Sequence, residues 1–221
     1  MTESIRAPFP YFGGKKRVAA QVWGSLGDVD HYVEPFCGSA AVLLSRPNTG
    51  RIETINDADG MVSNFWRSVA YHPDVVQSYL DWPVNEADLC ARNRWLIGQR
   101  ESLTERLMAD PEWCDPKAAG WWAWGLSQWI GGGWASRDTR QIPFLGNTGM
   151  GVHSLNPTPI SVLSARLRRV RVACGDWGRV VSPSVLFYPT GNKGTTGVFL
   201  DPPYAAGSVQ YAAGGVSRMG W

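Results

Sequence analysis

The chain of 221 residues is long enough for one full α/β domain, or for a core domain interrupted by a smaller inserted one. Its hydrophobic fraction of 44% and charged fraction of 18% are ordinary for a globular protein and exclude a disordered chain. The net charge of +2 permits a nucleic-acid partner without indicating one. The four cysteines lack the spacing of metal ligands or of a disulfide framework, so no metal site is expected.

The chain shows neither a targeting segment nor a membrane segment. Its first residues lack a basic stretch followed by an apolar one, which is the pattern of a secretory signal. No apolar run approaches the roughly 18 residues that a membrane span needs. We therefore expect a soluble protein of the cytoplasm.

The first part of the chain alternates strands with helices. A short apolar run at 31–33 predicts a strand, which enters a glycine-containing turn and then a helix at 40–44. A second strand is predicted at 51–55 and ends at Asp57. Apolar residues at helical spacing predict a helix at 60–70, so the order is strand, helix, strand, helix.

The composition changes between about residues 71 and 159, where tryptophans, prolines and glycines accumulate. This stretch is interpreted as an insertion, mainly helical, between two parts of the core. Four apolar residues at helical spacing predict a small hydrophobic core within it: Trp122, Leu126, Trp129 and Ile130.

The strand pattern returns in the last third of the chain. A basic helix is predicted at 161–169, followed by strands at 170–174 and 196–200. The densest positive cluster could contact nucleic-acid phosphates or lie on a solvated face: Arg166, Arg168, Arg169 and Arg171. Because acidic or glycine-rich turns follow all four strands, and ligands of open α/β sheets bind at strand carboxyl ends, a binding crevice is expected there.

The most informative motif directly follows the last predicted strand, at Asp201, Pro202, Pro203 and Tyr204. A carboxylate and a carbonyl fixed by prolines can accept both N–H groups of an amine whose lone pair is delocalised into a ring. Accepting both favours a pyramidal nitrogen, and Tyr204 offers a face for stacking. The structural alternative is a Pro-Pro turn that caps a strand.

With three further segments this motif resembles the Dam-like, or D12 class, adenine-specific DNA methyltransferases. Segments 8–17, 32–40 and 55–59 precede the motif in the order that the family shows. The resemblance implies an α/β, Rossmann-like S-adenosylmethionine-dependent methyltransferase fold with an inserted, mainly helical target-recognition domain. It implies a core in two parts, at residues 1–70 and 160–221. The target-recognition insert lies between them, at residues 71–159.

The resemblance also implies a function: transfer of a methyl group from S-adenosyl-L-methionine to N6 of a flipped-out adenine in double-stranded DNA. It assigns catalysis to Asp201, Pro202, Pro203 and Tyr204. It implies cofactor contacts from Tyr11, Lys15, Glu34, Pro35, Phe36, Gly38, Asp57, Asp176, Trp177 and Asp201. In the insert, the polar residues that could approach DNA, or form ordinary surface, are Arg137, Arg140, Asn147 and His153.

Particular roles follow from this resemblance. Asp57 would accept hydrogen bonds from the ribose hydroxyls of the cofactor, although it could instead cap the following helix. Glu34 would lie near the cofactor's ammonium group, and Asp176 and Trp177 near its adenine. The host would be a bacterial or phage-infected cell, with the enzyme of the restriction-modification or phage-modification type.

The sequence departs from the family pattern at three places. Ala40 replaces the last glycine of the loop, Tyr11 stands where an indole is common, and the chain stops at Trp221, soon after the motif. We expect from this an incomplete sheet whose exposed edge favours self-association or a partner chain, and weak methylation at most. The alternatives are an impaired remnant that binds DNA or cofactor only, and an amino methyltransferase that acts on RNA or protein.

Overall fold

The computed structural model describes residues 5–11, 13–48, 51–146, 159–186 and 194–202. Within these ranges the chain forms a mixed α/β fold around a parallel sheet of four strands in the order β3-β2-β1-β4. This confirms the predicted fold class, α/β with a Rossmann-like parallel sheet. The strands are β1 (His31–Glu34), β2 (Ile52–Asp57), β3 (Val170–Cys174) and β4 (Thr196–Val198).

The register of the sheet brings the carboxyl ends of all four strands to one edge. Glu34 lies opposite Ile55, and Asp57 lies opposite Cys174. The chain leaves β1 toward β2 and β3, and then returns to the other side of β1 to form β4. The topological switch point, where ligands of open α/β sheets bind, therefore lies between β1 and β4.

Helices connect the strands, and side chains rather than backbone alone fix where several of them begin. Asp59, Asn85 and Asp115 each accept a backbone N–H of the first turn of the helix that follows. No helix in the described ranges is long and apolar enough to cross a membrane. The helices are α1 (Ala19–Leu26), α2 (Ala41–Leu44), α3 (Gly60–Tyr71), α4 (Pro73–Leu80), α5 (Glu86–Ala109), α6 (Pro116–Leu126), α7 (Ile160–Leu167) and α8 (Pro183–Leu186).

Helix α3 joins the sheet to the helices that follow it. It packs against β2 and β3 on the sheet side, and against α5, α6 and α7 elsewhere. Between α3 and α7 the described residues form three helices, α4 to α6, and no strand. Five apolar side chains of α3 are fully buried: Met61, Val62, Phe65, Trp66 and Val69.

The small hydrophobic core predicted within the insert is wrong at its last residue, Ile130. Helix α6 stops at Leu126, because Ser127 turns its hydroxyl onto the carbonyl of Trp124 and glycines follow at 131–133. Trp129 is still buried, from the loop rather than from the helix, whereas Ile130 is 49% exposed.

One arginine of the positive cluster lies in the interior, which excludes phosphate contact for that residue. Both terminal nitrogens of Arg166 bind Glu53 of β2, at 2.6 and 2.7 Å, and Arg46 approaches the same carboxylate at 3.2 Å. The side chains of Glu53 and Arg166 are 2% and 7% exposed. Arg168, Arg169 and Arg171 remain exposed.

We predict that Glu53→Gln lowers the free energy of unfolding by about 3–5 kcal/mol, because it leaves two buried guanidinium groups without a counter-charge. Urea denaturation measures the loss. The control is Asp28→Asn, which removes a charge from the exposed ion pair with Arg51 and should cost less than about 1 kcal/mol. Equal, small losses in both variants would contradict the prediction.

Candidate active site

Asn56 ties together the loops at the carboxyl ends of β1 and β3. Its side-chain Nδ2 donates to the carbonyls of Pro35 and Gly175, at 2.9 and 3.0 Å. Its backbone carbonyl accepts from the N–H of Cys37. The N–H of Gly175 donates to the carbonyl of Asp57. Sequence reasoning gave Asn56 no such role, because the two carbonyls that it binds belong to loops 21 and 119 positions away.

The loop after β1 requires glycine at one position and tolerates alanine at another. Gly38 has φ +45°, and a Cβ there would lie 2.5 Å from the ring of Tyr11, which packs on the loop. Ala40 keeps a left-handed conformation with φ +51° and is fully buried. The replacement noted in the sequence therefore preserves the glycine-like geometry, at roughly 1–2 kcal/mol of strain.

Asp57 holds this loop against the end of β2. One carboxylate oxygen accepts from the N–H of Gly38, and the other accepts from the N–H of Asp59, each at 2.9 Å. Asp59, rather than Asp57, caps α3, by accepting from the N–H of Met61. Burial raises the pKa of Asp57 to about 6, although hydrogen bonds from backbone N–H groups lower it.

Glu34 lies beneath the loop rather than on its surface. Its Oε2 accepts from the hydroxyl of Tyr32 at 3.0 Å and from the N–H of Leu43 at 3.2 Å. Burial raises the pKa of Glu34 to about 8, although both hydrogen bonds lower it. Glu34 thus connects β1 with α2, and its contact with the cofactor's ammonium group stays a prediction.

Two aromatic side chains face each other across the ends of β1 and β3. The ring centroids of Phe36 and Trp177 are 6.1 Å apart, and both side chains are partly exposed. Asp176 starts the 3₁₀ turn that presents Trp177, because its carboxylate accepts from the N–H of Gly178 at 2.8 Å. A planar ligand can stack against such a pair.

Asp201 lies at the switch point and contacts the amino-terminal segment. The N–H of Phe199 donates to the carbonyl of Val33, which continues the pairing of β4 with β1 up to the motif. The Nζ of Lys15 is 2.7 Å from Oδ2 of Asp201 and donates to the carbonyl of Gly13 at 2.8 Å. The fold thus brings together two residues that are 186 positions apart (201 − 15).

The other predicted site residues are only partly covered by the structure. Pro202 is described and exposed, whereas Pro203, Tyr204, Asn147 and His153 lie outside the described residues. Arg137 and Arg140 are exposed in the segment after α6. Among the described residues, no cluster of three His, Cys, Asp or Glu side chains could hold a metal ion.

Comparison with known proteins gives one family. Residues 11–89 match the family model of the D12 class N6 adenine-specific DNA methyltransferases. The matched segment contains the loop after β1 and the acidic end of β2, and it confirms the resemblance there. No curated protein matches the chain.

We predict that the free energy of unfolding falls as the pH rises from about 5 to about 8. Folding raises the pKa of Glu34 from 4.5 to about 8 and that of Asp57 from 3.8 to about 6, so the folded chain binds more protons than the unfolded chain in this window. Stability from these groups is present at low pH and is lost as each ionises. Urea denaturation at a series of pH values measures the slope.

Glu34→Gln should remove the greater part of that slope, because glutamine keeps an oxygen for Tyr32 and Leu43 but does not ionise. The exposed variant Glu105→Gln should keep the wild-type dependence. An unchanged slope in Glu34→Gln would show that this carboxyl does not carry the effect.

Proposed function

Because residues 11–89 match the D12 class N6 adenine-specific DNA methyltransferases, we propose that this chain methylates N6 of a flipped-out adenine at specific sites in double-stranded DNA. The observation that carries the proposal is the position of Asp201. It lies outside the matched segment, yet the fold places it at the switch point and in contact with Lys15, which lies within that segment.

The residues at the strand ends fit S-adenosylmethionine. Gly38 lets the Tyr11 ring pack closely on the loop, and the Asp57 carboxylate can accept hydrogen bonds from ribose hydroxyls. Phe36 and Trp177 offer stacking faces for an adenine ring, and Tyr11 packs on the same loop. When bound, the cofactor would supply a methyl group activated by a sulfonium.

Asp201 and Pro202 would hold the adenine amine. The N6 lone pair is delocalised into the ring, so the amine is a poor nucleophile. When the Asp201 carboxylate and the Pro202 carbonyl each accept one N–H, a pyramidal nitrogen is favoured and its lone pair points away from both acceptors. We assign the stacking of the flipped base to Tyr204 and the stiffness of the turn to Pro202 and Pro203, from the family resemblance.

Lys15 is better suited to orient Asp201 than to bind the cofactor directly. Its ammonium bridges the carboxylate of Asp201 and the carbonyl of Gly13, which fixes the carboxylate relative to the amino-terminal segment. Fixing an acceptor before the substrate arrives lowers the reorganisation that the reaction requires.

DNA would be recognised by the segment at 71–159, which separates the core parts at 1–70 and 160–221. Arg137 and Arg140 carry exposed positive charge there, and Asn147 and His153 belong to the same proposal. The matched family acts on DNA, which favours DNA over RNA or a protein amide as acceptor. We place the enzyme in the cytoplasm of a bacterial or phage-infected cell, in restriction-modification or phage modification.

We predict that Asp201→Ala lowers methyl transfer by at least about a hundredfold, because one of the two acceptors of the amine is lost. Transfer of a labelled methyl group to unmethylated DNA measures the rate. Calorimetric titration with S-adenosylhomocysteine should give a dissociation constant close to that of the wild type, since Gly38 and Asp57 are unchanged. The exposed control Asp28→Ala, outside the segment 71–159, should keep both values.

Two outcomes would contradict the proposal. Undiminished transfer by Asp201→Ala would remove the assigned role of that residue. A wild-type chain that neither binds S-adenosylhomocysteine nor methylates any DNA would remove the function itself.

We predict that Lys15→Met lowers the turnover number by about tenfold, the effect of one lost charge-assisted contact, and leaves the affinity for S-adenosylhomocysteine within about twofold. The matched control is Lys16→Met, which removes the same charge from an exposed neighbour. Weaker cofactor binding with unchanged turnover would instead assign Lys15 to the cofactor.

A further inference from the structure

Ala135 is a strained residue within the segment that follows α6. Its φ of +54° lies in the left-handed region, and the residue is fully buried. This conformation costs an alanine roughly 1–2 kcal/mol. Strain of this kind persists where neighbouring groups over-determine the backbone, and it is concentrated at functional loops.

Two side chains of α5 clamp Ala135 from both sides of its backbone. The N–H of Ala135 donates to Oδ1 of Asn93 at 2.8 Å, and its carbonyl accepts from Nη1 of Arg100 at 3.2 Å. Nδ2 of Asn93 also donates to the carbonyl of Arg137 at 2.7 Å. Asn93 and Arg100 are seven positions apart, so they share one face of the helix.

The other terminal nitrogen of Arg100 reaches the carboxyl end of the sheet, where the cofactor is proposed to bind, here called the cofactor end. Its Nη2 is 2.7 Å from Oδ2 of Asp59, whose N–H in turn donates to the Asp57 carboxylate. Helix α5 is packed closely at this point, because a Cβ on Gly60 would collide with Thr104. Arg100 therefore bridges the proposed cofactor site and the segment after α6.

The segment 133–140, here called the clamped loop, has an anchored inner side and an exposed outer side. Trp134 donates from its ring N–H to the carbonyl of Trp122 at 2.9 Å and fills the space above Gly125. Arg137 and Arg140 stay exposed on the outer side. Since Trp134 already buries the loop's apolar part, the Arg100 bridge adds a fixed position relative to Asp59.

We propose that Arg100 is a positioning residue that holds the clamped loop in register with the cofactor end of the sheet, so that the loop's arginines meet DNA where the adenine must be delivered. Asn93 acts with it by fixing the same strained peptide. The inference rests on the proposed function and names a determinant of DNA binding within it. In this proposal Arg100 acts through the loop, by its contacts with Ala135 and Asp59.

The test uses the full chain and the double variant Asp59→Asn/Arg100→Met, which removes the bridge without changing the net charge. Asparagine retains the helix cap, and no buried carboxylate is left unpaired. We expect the KM for unmethylated duplex DNA to rise by about tenfold, with the turnover number and the dissociation constant of S-adenosylhomocysteine within about twofold of the wild type.

The matched control is Asp28→Asn/Arg51→Met. It makes the same change in composition, but it removes an exposed ion pair outside the segment 71–159 and leaves the bridge between Arg100 and Asp59 intact. We expect its KM for DNA to stay at the wild-type value. Arg100→Lys, which can keep the contact with Asp59 but cannot make both bonds, should give an intermediate KM.

Equal KM values in the two double variants would overturn the positioning role, and so would a loss of thermal stability with an unchanged KM. In both cases methyl transfer by the wild-type chain would still uphold the proposed function. A wild-type chain without methyl transfer to DNA would overturn both.

Discussion

The site depends on the parallel register of β1 between β2 and β4, and on the buried amide that locks the loops above it. Asn56 donates to one carbonyl on each side of β2, so the turns after β1 and β3 are held at a fixed separation. Its Oδ1 is buried without a hydrogen-bond partner among the described residues. The loops are thus held together at the cost of an unsatisfied acceptor.

Burial divides the carboxyl groups of this edge into supports and contacts. Glu34 lies within the protein, where its raised pKa reflects the penalty on the charged form. Asp57 is partly exposed, and its carboxylate accepts hydrogen bonds from the backbone N–H groups of Gly38 and Asp59. Asp201 lies at the switch point and contacts Lys15. The carboxyl edge of the sheet therefore supplies a scaffold residue, a proposed cofactor contact and a proposed catalytic acceptor.

Helix α5 extends this organisation beyond the sheet. Its Arg100 meets the end of β2 through Asp59, and the same guanidinium meets the strained peptide at Ala135. In the proposed function, the segment that delivers a base must stay in register with the group that methylates it, because a displacement of about 1 Å can cost much of the rate. The planar guanidinium of an arginine can bind two acceptors in a fixed geometry, and therefore holds them more rigidly than the ammonium of a lysine.

The sequence by itself determined the strands, the loop that needs glycine at Gly38 and the placement of Asp201 after the last strand. These features follow from local periodicity and from residue types whose backbone demands are fixed. Its assignments of catalytic, cofactor-binding and DNA-binding roles stay predictions. Ile130 and Arg166 were misjudged, because helical spacing and charge do not reveal where a helix stops or what lies opposite.

Only the tertiary structure decided which distant groups meet. Lys15 contacts Asp201, Glu53 binds Arg166, and Arg100 bridges Asp59 to Ala135. Each pairing joins segments far apart in the chain, so no local pattern encodes it. The strand order and the packing of α5 against α3 set these distances, and with them the division between buried support and exposed site.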